Sequence, residues 1–600
     1  MFQSFENRAD PSQGRPRLSA LRSIMEKEGL NGFLVPRADA HQGEYCAPHD
    51  ERLSWLTGFT GSAGFCAVLN EKAGVFIDGR YRTQVKEQVD LAVFTPVPWP
   101  EVKLKDWLAE ALPKGGVIGY DAWLHTASEI EDLEEALASR GFTFHPTTNL
   151  VDKIWPDQPA PPQGPITPYP EALAGESHVS KRARIAKTLQ AANQSATVLT
   201  LPDSIAWLLN IRGSDIPRNP VPHSFAILFA TGQLTLFVAP EKTSDELRAH
   251  LGPDITLRPP SAFLPALHSL QGTVRIDAKT APVKLSLELA ESHATPAWGD
   301  DPCILPKARK TKAEIAGTQE AHLRDAAAMV EFLAWFDAQP AGTLTEIDVV
   351  TKLEETRRNS GALLDISFET IAGTGPHGAI MHYRVTRETD APLKDGQIIV
   401  LDSGGQYLDG TTDITRTLPV GQVGEEETTA FTRVLQGMIG ISRLRFPQGL
   451  AGRDLDAIAR YPLWLAGLDF NHGTGHGVGV YLCVHEGPQR LSRVSEVPLE
   501  AGMILSNEPG YYREGAFGIR LENLIVVQEA AELSGADDRP MFDFLTLTFV
   551  PLDLRLIRAD MLSTGERAWL NAYHAACYEK VAPRLSHDAQ MWLSRATQAI

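Results

Sequence analysis

A proline-rich segment interrupts this chain and constrains what it can fold into. Residues 155–169 (WPDQPAPPQGPITPY) contain six prolines. Proline lacks a backbone N–H and fixes its own φ angle, so such a run cannot continue a helix or a central strand. The chain has 600 residues, which is enough for several domains. We therefore expect the segment to connect two domains, with a boundary near residue 160.

A second boundary is predicted near residue 310, where a new helix begins. Thr311 and Glu314 have the spacing of a capping box. An apolar pattern of helical period follows as far as Phe336. The predicted domains are residues 1–160, 161–310 and 311–600, with a helical extension at the carboxyl terminus from about residue 560.

The first two predicted domains repeat one plan. In each, an apolar helical segment that contains a tryptophan precedes two strand-like runs. These segments are 53–56, 65–69 and 74–77 in the first domain, and 205–208, 225–229 and 234–238 in the second. A duplicated α/β unit explains the repetition most economically, although two common strand–turn–strand patterns can also resemble each other by chance.

Charge and composition exclude several classes of protein. Asp and Glu number 75 and Lys and Arg 56, so the net charge is −19, which disfavours nucleic acid or an anionic membrane surface as a partner. There is no long apolar run and no apolar leader, so neither a membrane span nor a signal peptide is predicted. The five cysteines form no C-x-x-C pair, which favours free thiols in a reducing compartment and hence the cytoplasm.

Two similar frames in the third predicted domain each bring a pair of carboxylates together. In the first frame, the apolar strand 398–401 ends at Asp402. A turn with two glycines follows, and Asp413 lies on an alternating return, residues 411–417. Asp402 and Asp413 can therefore face each other across a hairpin.

The second frame repeats this arrangement. The strand 503–505 leads to Glu508, and a returning strand, residues 519–527, places Arg520 and Glu522 on one face. A single acid is more often exposed to solvent or caps a turn. Acids that recur in the same frame, at separations of 11 and 14 residues, would repel one another unless a cation compensates them. The two frames therefore predict a metal site.

Four histidines surround these acids in the sequence, namely His382, His472, His476 and His485. The segment HGTGHGVG between the frames contains four glycines, which let the backbone approach a ligand but disfavour the helix of an H-E-x-x-H zinc site. The segment also departs from the G-x-G-x-x-G pattern of dinucleotide-binding loops. A single histidine is more often structural, but the clustering favours functional roles here.

Four carboxylates and one imidazole form a hard ligand set, which suits Mn²⁺, Co²⁺ or Mg²⁺ and also admits Zn²⁺. Four negative charges balance two divalent ions. Two such ions about 3.5–4 Å apart can share a hydroxide and present it to a carbonyl carbon. The expected chemistry is hydrolysis of an amide bond.

Five motifs in the third domain carry a family resemblance: LDSGGQYLDGTTDITRT, HGTGHGVG, VHEGP, NEPGYY and GIRLEN. They resemble motifs of the metallopeptidases with the pita-bread fold, which include methionine aminopeptidase, prolidase and aminopeptidase P. The three-domain layout, with DAHQGEY and IDGRY in the first domain and IAWLLNIRGSDI in the second, is similar to the long cytosolic form of aminopeptidase P. The resemblance covers nearly the whole chain. It implies an α/β (α+β) fold, with two related creatinase-like domains before a pita-bread catalytic domain.

The resemblance also implies the metal ligands. Asp402 would bind one ion, and Asp413 and Glu522 would bridge two. His476 and Glu508 would bind the other ion, and Glu508 would also move a proton from the attacking water to the leaving nitrogen. The implied cofactor is two divalent ions per chain, with Mn²⁺ the usual metal of the family and Zn²⁺ or Co²⁺ as alternatives.

Further residues would act around these ligands. His485 would bind the scissile carbonyl and the developing oxyanion. His382 and His472 would line the substrate pocket. Arg520 and Tyr512 would hold the carboxylates.

The implied activity is the release of an amino-terminal residue from a peptide whose second residue is proline. The resemblance also implies that the enzyme is a homodimer. Prolidase, which cuts dipeptides that end in proline, is the enzymatic alternative, and the long duplicated amino-terminal region disfavours it. A non-catalytic pita-bread binding module is a further alternative. The presence of all five ligands disfavours that module. Asn507 stands where some relatives have an acid, but this position is not a ligand position.

Overall fold

A computed structural model describes residues 1–600. Contacts within the chain divide it into two compact units. The amino-terminal unit comprises Arg8–Ile304, and the carboxyl-terminal unit comprises Leu305–Ile600 together with Met1–Asn7. The first residues belong to the carboxyl-terminal unit because the backbone N–H groups of Phe2 and Gln3 donate hydrogen bonds to the Glu354 carboxylate.

Two six-stranded sheets with the same strand order form the amino-terminal unit. In spatial order, the first sheet consists of Thr95–Pro98, Ala73–Ile77, Phe65–Leu69, Gly32–Pro36, Gly116–Asp121 and Phe142–Thr147. The second consists of Ile255–Arg258, Leu234–Phe237, Phe225–Phe229, Ala196–Leu199, Gln271–Ile276 and His293–Trp298. Corresponding neighbours have the same parallel or antiparallel sense in both sheets. The predicted duplication is confirmed.

Each half of the amino-terminal unit also contains helices, five in the first and six in the second. The first half contains Gly14–Lys27, Arg52–Thr57, Gln84–Gln88, Leu104–Ala111 and Ala127–Leu137, and the second contains Glu171–Ala174, His178–Ala191, Pro202–Leu209, Asp245–Leu251, Phe263–His268 and Val283–Ala290. Apolar residues at helical spacing explain how a helix packs on its sheet. Leu18, Leu21 and Met25 are buried in one core with Phe33 and Val35 of the central strand.

The carboxyl-terminal unit contains two main sheets. One consists of Ile371–Thr374, Gln397–Ser403 and Ile414–Val420, and the other of Phe446–Pro447, Met541–Thr546, Asn523–Glu529, Ile504–Asn507, Gly475–Gly477 and Glu486–Leu491. Short strands form the remaining pairings, namely Asp365–Ile366, Gly405–Tyr407 and Gly410–Thr411 in one small sheet and Gly510–Arg513 with Phe517–Arg520 in another. The longer helices are Lys312–Asp337, Glu346–Arg358, Glu425–Ser442, Gly452–Trp464, Thr564–Val581 and His587–Ala596.

The helix predicted after residue 310 is present, and it begins at the predicted capping box of Thr311 and Glu314. Its apolar residues, including Met329 and Leu333, pack with Leu401 of the strand that leads to the predicted site. All five cysteines are buried free thiols, as predicted. None of the helices combines the length and the apolar character needed to cross a membrane.

The predicted single strand 519–527 is wrong in one respect. The chain forms two strands there, Phe517–Arg520 and Asn523–Glu529, which pair with different partners. The break falls at Glu522 because its N–H donates a hydrogen bond to the carbonyl of Thr415, in the other frame. This hydrogen bond joins the two frames at the predicted site.

Candidate metal centre

The first pair of carboxylates lies at one end of an antiparallel hairpin. Asp402 is opposite Thr415 in the pairing of Gln397–Ser403 with Ile414–Val420. Asp413 lies directly before the second strand, which begins three residues after the start of the predicted return. Both carboxylates are buried.

The second pair lies just beyond the end of its strand pairing. Ile504–Asn507 pairs with Asn523–Glu529, and the last matched residues are Asn507 and Asn523. Glu508 comes directly after Asn507 in the chain, and Glu522 comes directly before Asn523. Both acids therefore lie just beyond the last matched pair of this ladder.

The four carboxylates and His476 form one cluster. Ligand atoms of Asp402, Asp413 and Glu522 lie within 4.8 Å of one another, as do those of His476, Glu508 and Glu522. His476 Nε2 is 3.5 Å from Asp413 Oδ2 and 3.4 Å from Glu508 Oε1. These separations are longer than a usual hydrogen bond. They suit two ligands of one ion, because metal–ligand bonds of about 2.1 Å in tetrahedral geometry place neighbouring ligands about 3.4 Å apart.

The strand Gly475–Gly477 orients His476. A hydrogen bond of 2.8 Å links His476 Nδ1 to the carbonyl of Gly477, which leaves Nε2 directed to the carboxylates. Ser506 fixes two members of the cluster at once, because its Oγ accepts from the N–H of His476 at 2.9 Å and donates to Glu508 Oε1 at 3.0 Å.

Burial and mutual repulsion govern the charges of this cluster. Burial raises the pKa of Glu522 well above its usual range, and the charges of Asp413 and Glu508 raise it further. Burial also raises the pKa of Asp402, against the effect of Arg520. Burial opposes the charged form of His476, but its contact with Asp413 and the charge of Glu508 raise its pKa to about 9. A bound cation would compensate the charges that otherwise favour protonation.

The residues fit divalent cations. Asp402 Oδ1 and Glu522 Oε1 are buried and accept no hydrogen bond. The other oxygen of each is occupied, since Arg520 Nη2 donates to Asp402 Oδ2 at 2.7 Å and Thr415 Oγ1 donates to Glu522 Oε2 at 2.8 Å. A buried carboxylate oxygen without a donor is costly, and an oxygen-rich set with four negative charges suits divalent ions.

Arg520 and Tyr512, which the resemblance assigned to holding the carboxylates, form a hydrogen-bonded chain beside the cluster. Arg520 Nη1 donates to the Tyr512 hydroxyl at 2.7 Å, and that hydroxyl lies 2.9 Å from His472 Nε2. His472, predicted to line the substrate pocket, is thus connected to Asp402 through Tyr512 and Arg520.

The other two histidines lie at different distances from the ligands. The rings of His485 and His476 meet edge to face, with centroids 4.3 Å apart, and His485 also reaches within 4.8 Å of Asp413. His382 is half-buried, and its neighbour Met381 accepts a hydrogen bond from Arg520 through its carbonyl. The structure therefore brings His485 to the cluster and His382 to its border.

Glu486 anchors the segment that carries His485. Lys307 Nζ is 2.6 Å from its Oε2, and Lys310 pairs with its Oε1. All three side chains are buried.

Sequence reasoning missed Thr415 and Ser506. Each lies two residues from a predicted ligand, Asp413 or Glu508. Residues two apart share a face of a strand. This spacing could therefore have indicated that Thr415 and Ser506 lie beside the predicted ligands.

Models of known families match most of the chain. Metallopeptidase family M24 matches residues 316–529, and the C-terminal region of the same peptidase family matches 540–600. The Creatinase/Prolidase N-terminal domain matches twice, at 17–154 and 157–314.

Known relatives match over nearly the whole length. The Probable Xaa-Pro aminopeptidase P of Aspergillus flavus is 38% identical over 97% of this chain and 92% of its own. The protein of the same name from Aspergillus niger is 38% identical over 97% of this chain and 98% of its own.

Solved structures give the same result. The X-prolyl aminopeptidase from Caenorhabditis elegans, a cytosolic enzyme with a di-nuclear active site, superimposes with a TM-score of 0.93 and 32% identity over 98% of this chain and 100% of its own. The prolidase from Pyrococcus horikoshii OT3 covers 62% of this chain and 99% of its own, with a TM-score of 0.51 and 24% identity, and shares the fold.

The fold and the carboxylate cluster define a metallopeptidase of the pita-bread type, preceded by two creatinase-like domains, which confirms the predicted fold class. The chain belongs to metallopeptidase family M24. Within that family it is a metal-dependent aminopeptidase.

Proposed function

We propose that this aminopeptidase releases the amino-terminal residue from peptides whose second residue is proline, with two divalent metal ions per chain. The observation that carries the proposal is the full-length match to Xaa-Pro aminopeptidases, which includes both amino-terminal sheets. The bond before proline is a tertiary amide with a restricted ring, so a dedicated pocket is needed to cut it.

Asp402, Asp413 and Glu522 would hold one ion, and Asp413 and Glu522 would share the second with His476 and Glu508. Bound divalent ions activate water and polarise a carbonyl group. The family resemblance favours Mn²⁺, and the ligand set also admits Zn²⁺ or Co²⁺.

The chain's own groups would move the protons and position the substrate. Glu508, held by Ser506, would accept a proton from the attacking water and deliver it to the leaving proline nitrogen. His485, beside His476, would donate a hydrogen bond to the oxygen of the scissile carbonyl. His382 and His472 would border the pocket.

We also propose that the enzyme acts as a homodimer in the cytoplasm. Free buried thiols suit a reducing compartment. The C. elegans relative is a cytosolic enzyme.

Hydrolysis of peptides that differ in length and in their second residue tests the proposed activity. With Mn²⁺ present, Xaa-Pro-Yaa tripeptides should yield a free amino acid and Pro-Yaa, whereas Xaa-Ala-Yaa tripeptides and Xaa-Pro dipeptides should be cut slowly. Chelation should abolish cleavage, and added metal should restore it. Cleavage confined to the dipeptides would support the prolidase alternative, and absence of all cleavage by the metal-loaded protein would support a binding module.

A further inference from the structure

A second cluster of metal-ligand types lies within the amino-terminal unit. Ligand atoms of Asp39, Asp50 and His223 lie within 4.8 Å of one another. Asp39 and Asp50 follow the central strand of the first sheet, Gly32–Pro36, and His223 precedes Phe225–Phe229 of the second sheet. The cluster therefore joins the two related halves of this unit.

The spacing in this cluster resembles that of the M24 cluster. His223 Nε2 and Asp39 Oδ2 are both buried and face each other at 3.2 Å as an ion pair, and neither atom has a further hydrogen-bond partner. At the M24 cluster, His476 Nε2 lies 3.4 and 3.5 Å from two carboxylate oxygens. A separation of this size between an imidazole nitrogen and a carboxylate oxygen also suits two ligands of one ion.

Neighbouring groups orient the Asp39 carboxylate. Its Oδ1 accepts hydrogen bonds from the N–H groups of His41 at 2.8 Å and Gly43 at 3.4 Å, so Oδ2 remains for another partner. Asp39 is 1% exposed, and water therefore does not compensate this oxygen.

The imidazole of His223 is also oriented. It packs on the ring of His41, with centroids 4.5 Å apart. The backbone N–H of His223 donates to Asp215 Oδ2 at 2.6 Å. Neighbours that fix both partners in this way are typical of metal sites.

The carboxylates around this cluster are not all neutralised by separate basic side chains. Arg52 Nη1 is 2.9 Å from Asp50 Oδ1, but the same guanidinium also pairs with Asp152 at 2.7 Å. One arginine thus serves two carboxylates. The Asp39 and Asp50 carboxylates lie close together, and His223 contacts Asp39. A cation shared by the three groups would offset the repulsion between the two carboxylates.

We propose that Asp39, Asp50 and His223 bind a divalent transition-metal ion that fastens the two halves of the amino-terminal unit to each other. One imidazole with two carboxylates favours Zn²⁺ over Mg²⁺ or Ca²⁺, which prefer oxygen ligands alone. Three protein ligands leave a fourth position for water. The role is structural and does not depend on the proposed peptidase specificity.

Metal counting tests this site. Wild-type protein, His223→Asn and the control His268→Asn are each loaded with Zn²⁺, separated from free metal by gel filtration and analysed for zinc per chain. His268 is a suitable control because it also contacts a carboxylate, that of Glu288, but at an exposed position. We expect His223→Asn to lose one equivalent relative to wild type, and His268→Asn to lose none. Ions at the M24 cluster contribute equally to all three proteins and cancel in the comparison.

A second measurement applies if His223→Asn does not fold. Crystals of the wild-type protein grown with Zn²⁺ should show an anomalous peak at the zinc edge between Asp39 Oδ2 and His223 Nε2, and Asp50→Asn should weaken it. Equal zinc counts in all three proteins, or a wild-type crystal without this peak, would overturn the proposal in favour of a simple imidazolium–carboxylate ion pair.

Discussion

At the scale of single residues, three proposed ligands of the M24 cluster each have one polar atom occupied and another directed to the cluster. His476 uses Nδ1 on the Gly477 carbonyl, Asp402 uses Oδ2 on Arg520, and Glu522 uses Oε2 on Thr415. The remaining atoms converge. The residue types and their spacing were predictable from the sequence, but these partners were not, because they come from segments distant in the chain.

Two histidine variants separate metal binding from turnover. His476→Ala removes a proposed ligand and should abolish activity with loss of bound metal. His485→Ala should keep the metal and lower kcat by about 10²–10³, the usual cost of losing a donor to an oxyanion. Metal analysis beside kinetics measures both effects, and full activity in either variant would contradict the assigned roles.

His574 gives a pH dependence of stability. It is fully buried and its Nε2 accepts a hydrogen bond from the N–H of Leu552. Burial and the charge of Arg416 lower its pKa to about 4. The unfolded chain, with a pKa of about 6.5, binds the proton more readily, so this contribution to stability is complete above pH 6.5 and is lost as the pH falls towards 4, up to about 3 kcal/mol.

The variant His574→Gln keeps an acceptor for Leu552 but does not titrate. Its Tm, measured by calorimetry, should fall less than the wild-type Tm between pH 7 and pH 5. Other histidines contribute equally to both proteins. Parallel pH curves for the two would disprove the contribution of His574.

At the scale of elements, the short strand Gly475–Gly477 requires glycine for a packing reason. A Cβ atom at position 475 would lie 1.9 Å from the carbonyl oxygen of Ser506, whereas at position 473 the nearest atom is 3.3 Å away, on Leu491. Gly475→Ala should therefore displace His476, lower the Tm and reduce metal content. The control Gly473→Ala should have a much smaller effect, and normal metal content in Gly475→Ala would contradict this reading.

The two frames show how far pattern alone predicts an element. Continuous apolar runs and alternating segments together predicted strands beside all four acids. These patterns did not predict the break in the strand at Glu522. The backbone N–H of Glu522 donates a hydrogen bond to the carbonyl of Thr415, which lies more than a hundred residues earlier in the chain. A local pattern carries no information about such a partner.

At the scale of the whole molecule, an exposed apolar patch supports the proposed homodimer. Tyr461, Trp464 and Leu465 at the end of the helix Gly452–Trp464 are 59%, 43% and 72% exposed, and Val494 is 84% exposed. Arg493, the neighbour of Val494 in the chain, packs over the Trp464 ring. Exposed apolar patches of this kind mark protein interfaces.

If the proposed homodimer forms through this patch, Trp464→Glu should yield a monomer, because it places a charge within the patch. Light scattering after gel filtration measures the mass. Trp298→Glu is a matched control, since Trp298 is 48% exposed but lies in the amino-terminal unit. A dimer that persists in Trp464→Glu would place the interface elsewhere.

The class of architecture, the duplication and the set of clustered acids and histidines were predictable from the amino-acid sequence. Those features depend on local periodicity and on residue type, which can be read along the chain. The tertiary structure decided which oxygen of each carboxylate is free, how His472 connects to Asp402, and that His223 meets Asp39. These outcomes depend on contacts between residues far apart in sequence, where packing and burial select the partner and local pattern does not.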